Sequence, residues 1–594
     1  MTFYMKSMFF IVTLIAAWCN IHAQTLSYQN DIRKADSILK RKDFKTAALT
    51  FSAAFRANKW KAETDDRYDA ACAWALANYP DSAFANLNAI VGKDYFDYTH
   101  LISDKDLISL HKDQRWKPLL DKTKTARLKR LTAAQMYNDF DLLISSLIEA
   151  HTGLFWYSSR VQFDSICRVQ RARIKEGLNT LDFYNIIAPI VAFTKEGHTN
   201  LRLGTEAQAY LRFNGRYFPC YLKFLDQKGY IINDLEGYKT KGSILSKIDG
   251  RSMDEIMQKF LSYEPSDGFN TTSKYRWIEE NAKFSIDYAR CYPPTSFFAI
   301  EIIDPVTGQK KALTHIPAVN YDTFQKEYTI AVKKTLNSPY TLPAELKIDS
   351  SRGTAILTFN SFDSGEYEEA GMDFHNFVKE SFGRILQQKV QQLILDIRKN
   401  GGGDEGFEDY LLSFMIDKDY TKYKYVQASA FSYSFYQYSN YSVKWPRLER
   451  MLNKQHYLEN DGRILRKPVV MPHTKPQPDP YKGQIYVLMS GLTYSGGSEF
   501  AALMRNYTNA VFIGEEAGGG YYGNTSGNQI ILKLPNSKLE IGIPILKFVL
   551  DTPKDDIPFG HGVLPGYEIQ PTITQFLNGY DAELEFAKQL VKSK

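Results

Sequence analysis

QIYVLMSGLTYSGGSEFAALMRNYTNAVFIGEE (484–516) runs from one apolar segment to another through a serine followed by two glycines and a helical stretch. QIYVLMSG (484–491) predicts a buried strand, SEFAALMRNY (498–507) a helix with a 3.6-residue apolar stripe, and AVFIGEE (510–516) a second strand. The same pattern continues upstream. GTAILTFNSF (353–362) reads as a strand, FHNFVKESFGRILQQ (374–388) as a helix, and VQQLILDIRKN (390–400) as a buried strand that ends in glycines. A Tyr-rich irregular stretch (420–480) separates the two halves. Strands alternating with helices predict an α/β core over 344–594, with a ligand site at the carboxyl ends of the strands. Both glycine-rich turns fall at such ends.

Toward the N-terminus the texture changes twice. Residues 126–204 hold two long amphipathic helical stretches, LTAAQMYNDFDLLISSLIEAH and LDFYNIIAPIVAFTKEGH. Residues 205–343 are aromatic-rich and alternating, as in YFPCYLKFL and KGYIINDL, and predict a β-rich region. There KGSILSKIDGRSMDEIMQKFL reads as a strand, a turn at Asp249-Gly250 and a short helix. That order resembles a PDZ-like module and fits equally a β-rich insert with a common turn. Residues 24–125 are helical. DFKTAALTFSAAF (43–55) and YPDSAFANLNAIV (79–91) align with Ala47 on Ala83 and Phe51 on Leu87, near the tetratricopeptide period; YDAACAWALA (68–77) lies between them. A helical bundle without repeats fits the same stripes, and either form offers a surface to a protein partner.

The first 23 residues, with Lys6 and an apolar run from Met8 to Trp18, read as an export signal too short to span a bilayer. Lipid anchoring at Cys19 is disfavoured because Trp18 stands where such signals need a small residue. The expectation is a periplasmic or extracellular protein with no integral membrane segment after cleavage. Across 594 residues the net charge of +6 comes without a Lys/Arg block, so neither nucleic acid nor a membrane surface is indicated as a partner. Cys72, Cys167, Cys220 and Cys291 match no zinc spacing, and no metal or cofactor is expected. An oxidising compartment would permit a bridge, for which Cys220 with Cys291 is the candidate.

Ser495 follows a strand and opens a helix, at the positive end of the helix dipole, with Gly496 positioned to offer an N–H to a developing oxyanion. Read alone, such a serine is also an ordinary N-cap. LILDIRKNGGGDEG (393–406) ends a buried strand in three glycines, which let the backbone approach a ligand closely. It fits G-x-G-x-x-G too, but SYSFYQYSNYSVKW downstream completes no βαβ unit, so a dinucleotide site is disfavoured. His198, in TKEGHTNLRL, gains meaning only in combination.

Together these segments resemble the tail-specific (C-terminal processing) and tricorn-core serine peptidases over about residues 125–590. Asp396-Ile397-Arg398-Lys399-Asn400-Gly401-Gly402-Gly403 matches the family's D-[LIV]-R-x-N-x-G-G strand end. Thr493-Tyr494-Ser495 through Phe500-Ala501 matches the nucleophile motif, and Gly514-Glu515 with Gly518-Gly519 the glycine run after it. The resemblance implies a ClpP/crotonase-like core, Ser495 as nucleophile, His198 as base, and the amides of Gly402 and Gly496 as the oxyanion hole. Asp396 and Arg398 are expected to brace the glycine turn. The family's Ser-Lys members place a lysine where Gly520 stands here, which points to the histidine-based version, with Asp555 and Asp556 as candidates for the carboxylate behind the imidazole. Gly566 replaces the usual aspartate in the closing GHGVLPGYEIQP. The implied activity is an exported endopeptidase acting on peptides or unfolded proteins; the alternative is a non-catalytic ligand- or peptide-binding protein on the same scaffold.

Overall fold

The computed structural model describes residues 27–28, 30–336, 342–442 and 445–592. The expected export signal and Cys19 lie outside the described residues. Two compact units emerge, one running to Lys129 and including Leu203–Asn214, the other made of Arg130–Arg202 and Gly215 onward.

The first unit is helical. Asp43 caps Phe44–Ala57 by accepting from the Thr46 N–H at 3.3 Å, Thr64–Leu76 follows, and Pro80 opens Pro80–Ile90 at a position where its missing N–H costs nothing. Ala47, Phe51, Ala71, Ala83 and Leu87 are all buried in one core, where the alanines allow close helix approach. Residues 205–214, read in sequence as the start of the β-rich region, are instead a helix, Thr205–Asn214. After Thr205 that segment has no β-branched residue, and its Ala209, Tyr210 and Phe213 pack with Phe96 and Ala126.

In the second unit the α/β core is a six-stranded sheet: β1 (Ala344–Asp349), β2 (Thr354–Phe359), β3 (Gln392–Asp396), β4 (Gln484–Met489), β5 (Val511–Gly514) and β6 (Tyr567–Glu568), in spatial order 6-5-4-3-2-1. β2 to β6 run parallel, and only β1 is antiparallel to its neighbour. Leu393, Ile394 and Leu395 of β3, and Val487, Leu488 and Met489 of β4, are fully buried, as expected of parallel strands covered on both faces. Asp396 sits opposite Leu488, so the glycine turn after β3 and the serine turn after β4 leave the sheet side by side.

A second sheet is built on the long strand Glu540–Leu550, which pairs with Asn200–Arg202, Gly523–Lys533 and Tyr423–Ala428. The 420–480 stretch, irregular by sequence, contributes that last strand, the helix Trp445–Gln455 and short edge strands. The β-rich region is an antiparallel sheet of Leu222–Leu225, Lys228–Ile231, Ile244–Ile248, Phe297–Ile303 and Lys310–Pro317, covered by Met253, Ile256, Met257 and Phe260 of one helix. All four described cysteines are free. The candidate Cys220–Cys291 bridge is absent: Cys220 sits in the sheet's apolar core, and the Cys291 thiol donates to Asn185 Oδ1 at 3.5 Å. No helix among the described residues is long and apolar enough to cross a membrane.

Candidate active site

Ser495 has φ 51° and ψ −125°, a left-sided backbone region that a non-glycine residue adopts only under constraint. The constraint comes from both ends of the turn. Tyr494 N–H donates to Asn400 O at 2.9 Å, Thr493 Oγ1 to Ile397 O at 2.9 Å, and Glu499 N–H to Ser495 O at 2.9 Å. Gly497 must lack a Cβ, which would lie 2.3 Å from the Asn400 carbonyl oxygen. The Ser495 side chain makes no capping bond to its helix, so the ordinary N-cap role is not the one it plays. Its Oγ lies 3.0 Å from His198 Nε2.

His198 is delivered by a helix, Thr180–Phe193, that breaks at Lys195 (φ 53°) and re-enters as the strand Asn200–Arg202. Asn200 is pinned opposite Gly542, and the His198 carbonyl accepts from Gln529 Nε2 at 2.5 Å. Behind the ring, Nδ1 lies 2.9 Å from Glu196 Oε1 and 3.0 Å from the Tyr494 hydroxyl. With the Nδ1 proton directed at the carboxylate, the Nε2 lone pair faces Ser495 Oγ. Glu196 is buried, and its other oxygen accepts the Thr525 N–H at 2.5 Å. Asp267, also buried, accepts from Tyr494 Oη at 2.8 Å, Gly197 N–H at 2.9 Å and Gly520 N–H at 3.0 Å.

Burial pushes the Asp267 carboxyl up to about 8, and the charge of Glu196 beside it pushes the same way. Burial acts on Glu196 too, but the hydrogen bond and charge of His198 outweigh it and hold Glu196 ionised. For His198 burial favours the neutral ring, yet Glu196 lifts the net value above that of a free imidazole. Both shifts favour a proton on Asp267 and a negative charge on Glu196, behind the imidazole. Glu196, His198 and Asp267 offer ligand atoms within 4.8 Å of one another, close enough to share a cation, but protein hydrogen bonds already engage these atoms.

Two expectations need correction. Asp555 and Asp556 are exposed, and Asp556 pairs with Arg505 at 2.5 Å; the carboxylate on Nδ1 is Glu196, two residues before the histidine. The Gly402 amide donates to Asn400 Oδ1 at 2.9 Å and so already has an acceptor. Gly402 acts as a spacer: at φ 97°, a Cβ on it would lie 2.7 Å from Ser495 Cβ. The amides of Gly496 and Gly403 have no acceptor among the described hydrogen bonds, and a Cβ on Gly496 would lie 3.6 Å from the Gly403 nitrogen. Arg398 does grip Asp396 at 2.7 Å and also Asp581 at 2.6 Å. Lys547 lies over Trp156, with Nζ 5.3 Å from the ring centre.

A second buried polar cluster lies one helical turn beyond the serine. Lys422, with no exposed surface, contacts Glu408 and lies 2.7 Å from Glu499, with Asp409 at 3.8 Å. Tyr423 and Asn524 also donate to Glu499, at 3.1 and 2.8 Å. Sequence reading assigned no role to Glu196, Asp267, Tyr494 or Lys422. Glu196 alone had a signal, a carboxylate two residues before the histidine.

Residues 353–569 match the family model of peptidase family S41. Over those residues the chain carries a domain of that family. It is accordingly a serine peptidase, a hydrolase whose substrate is a peptide or protein. No curated protein matches in sequence. Among solved structures, mature CPAF complexed with lactacystin aligns over 77% of this chain and 98% of its own at 13% identity and TM-score 0.52, a likeness of fold. The photosystem II D1 C-terminal processing protease aligns over 74% and 94% at 11% identity and TM-score 0.35. The tricorn protease aligns over 77% and 37% at 13% identity and TM-score 0.31. In this S41 peptidase the position of the Ser-Lys members' lysine, Gly520, faces Asp267, with a Cβ there 3.7 Å from Asp267 Cβ.

Proposed function

We propose that the chain is an exported endopeptidase that cleaves peptides or unfolded proteins through an acyl-enzyme on Ser495, with His198 as general base. The observation that carries this reading is the 3.0 Å contact between Ser495 Oγ and His198 Nε2, backed at 2.9 Å by Glu196. Nε2 takes the hydroxyl proton as Oγ attacks the scissile carbonyl carbon, and Glu196 stabilises the imidazolium that forms. The oxyanion accepts from the Gly496 and Gly403 amides, one at a helix N-terminus and the other in the glycine turn. Imidazolium then protonates the departing amine, and water activated by the same nitrogen releases the acid. Export rests on the apolar leader from Met8 to Trp18.

A fluorophosphonate probe should label Ser495 in the folded protein and fail on Ser495→Ala. The same variant should fold normally and retain at most about a thousandth of wild-type hydrolysis, the level that oxyanion and substrate binding alone sustain. Labelling elsewhere, or higher residual turnover, would remove Ser495 from the reaction.

A further inference from the structure

A cavity of about 340 Å³ opens behind the segment that delivers His198. One wall is apolar, formed by Ile166, Pro189, Ala192 and Phe193, and two amines, Lys195 and Lys274, line the rest with Phe269. Both lysines are half-buried. Lys274 Nζ donates to the Leu261 carbonyl at 3.0 Å, and Lys195 Nζ lies 4.2 Å from the centre of the Phe269 ring. Among the described residues neither amine has a carboxylate at ion-pairing distance. The acid nearest in influence, Glu264, is engaged by Lys283 at 2.6 Å.

Two ammonium groups that lack a counter-ion, repel each other and sit in an apolar-walled hollow are an unfavourable arrangement on their own. Burial already pulls Lys274 down to about 8, with Lys195 adding to the fall, and pulls Lys195 down as well. An anion entering the cavity would supply the missing charge at two donors, and the volume lies within the range of small-molecule sites. A singly charged carboxylate suits this lining better than phosphate, because it loses less hydration and can present an apolar body to the wall. We infer that this cavity is a binding site for a carboxylate carrying an apolar chain, held between Lys195 and Lys274. The carboxylate can belong to a free acid or to the last residue of a peptide, and the two sources are separable by experiment.

The site is also built into the frame of the reaction centre. Gly268 N–H donates to Lys195 O at 2.9 Å, and Gly197 N–H to Asp267 at 2.9 Å, so the cavity wall and the carboxyl pair share two backbone segments. Binding itself needs no turnover, so it is testable apart from the peptidase reading.

Decanoate, decanol, and Ala-Ala-Phe with a free or an amidated C-terminus would be titrated by calorimetry into the full chain and its Lys195→Met, Lys274→Met and Lys274→Arg variants. The expected result is saturable 1:1 binding of decanoate, at least tenfold weaker in each methionine variant, retained in Lys274→Arg, and at least tenfold weaker for decanol. Lys274→Arg guards against a trivial loss of fold. Binding of the free-acid tripeptide but not of decanoate or the amide assigns the site to a peptide terminus; decanoate binding assigns it to a free acid. No saturable binding of either carboxylate, equal affinity for decanol, or unchanged affinity in both methionine variants would overturn the inference.

Discussion

Two buried carboxylate clusters flank the nucleophile turn, and they are neutralised in opposite ways. Around Lys422, the carboxylates of Glu408, Glu499 and Asp409 face an ammonium whose pKa is held well above its ordinary value; burial opposes the charge, but Glu408 and Glu499 win. Around His198, Glu196 and Asp267 face an imidazole that is charged only when it has taken a proton. The ammonium holds Glu499 ionised against the cost of burial, while burial pushes Glu408 up to about 7; a cation fixed in this way suits a brace. A titratable ring set against two acids leaves the proton count open, which suits general base chemistry.

The contrast breaks most sharply at the ring itself. His198→Gln should lower kcat/KM by about 10⁴–10⁶-fold, as loss of a triad histidine does, with circular dichroism unchanged. In wild type the acid limb of kcat/KM should lie above the free-imidazole value of about 6.5. The sign follows from the direction of the shift: a raised pKa keeps the ring protonated, hence inactive as a base, to higher pH. A limb below 6.5, or one that survives in His198→Gln, would contradict the assignment.

Glu196→Gln should cost about 10²–10⁴-fold, because a neutral amide no longer selects the Nδ1–H tautomer or stabilises imidazolium. It should also move the acid limb down, since the charge that raises His198 is gone. On the other side, Lys422→Met should act on stability first. Removing the one cation from among buried carboxylates should lower the urea unfolding free energy by about 3–5 kcal/mol, with activity falling only as the fold does. If Lys422→Met left stability intact while abolishing turnover, the two clusters would not divide as described.

The smallest effect is expected at Asp267. Burial and the charge of Glu196 push this carboxyl up to about 8, toward the neutral form that Asp267→Asn resembles in shape and charge. Turnover at pH 7 should change less than about tenfold, in contrast to Glu196→Gln. A wild-type inflection near pH 8 should vanish in the variant. An equal loss in both variants would show that the two carboxylates share the charge behind the ring.

The β–helix–β order around Ser495 and the glycine turn after β3 were legible because both are local: apolar runs of strand length, glycines at their ends and a helical stripe all lie within a few tens of residues. Ser495 and His198 were legible only through motif order. Glu196 was within reach, but the resemblance drew attention to Asp555 and Asp556, late in the chain. Asp267 and Lys422 carried no sequence signal, since their partners lie 227 residues away at Tyr494 and 77 residues away at Glu499, pairings set by tertiary packing. The Gly402 amide failed for a different reason. Motif matching names a residue, whereas the Asn400 side chain decides which glycine N–H is left unbonded.

Chain order itself has a consequence. The hydrogen bond between His198 and Ser495 spans 297 residues, and the one from Thr525 to Glu196 spans 329. Contacts of such separation close late in folding, after the loop entropy between them has been overcome. A ribosome that has released only the first 400 residues has produced His198 and Glu196 but not Ser495. Hydrolysis should therefore appear in refolding experiments only with the slowest phase.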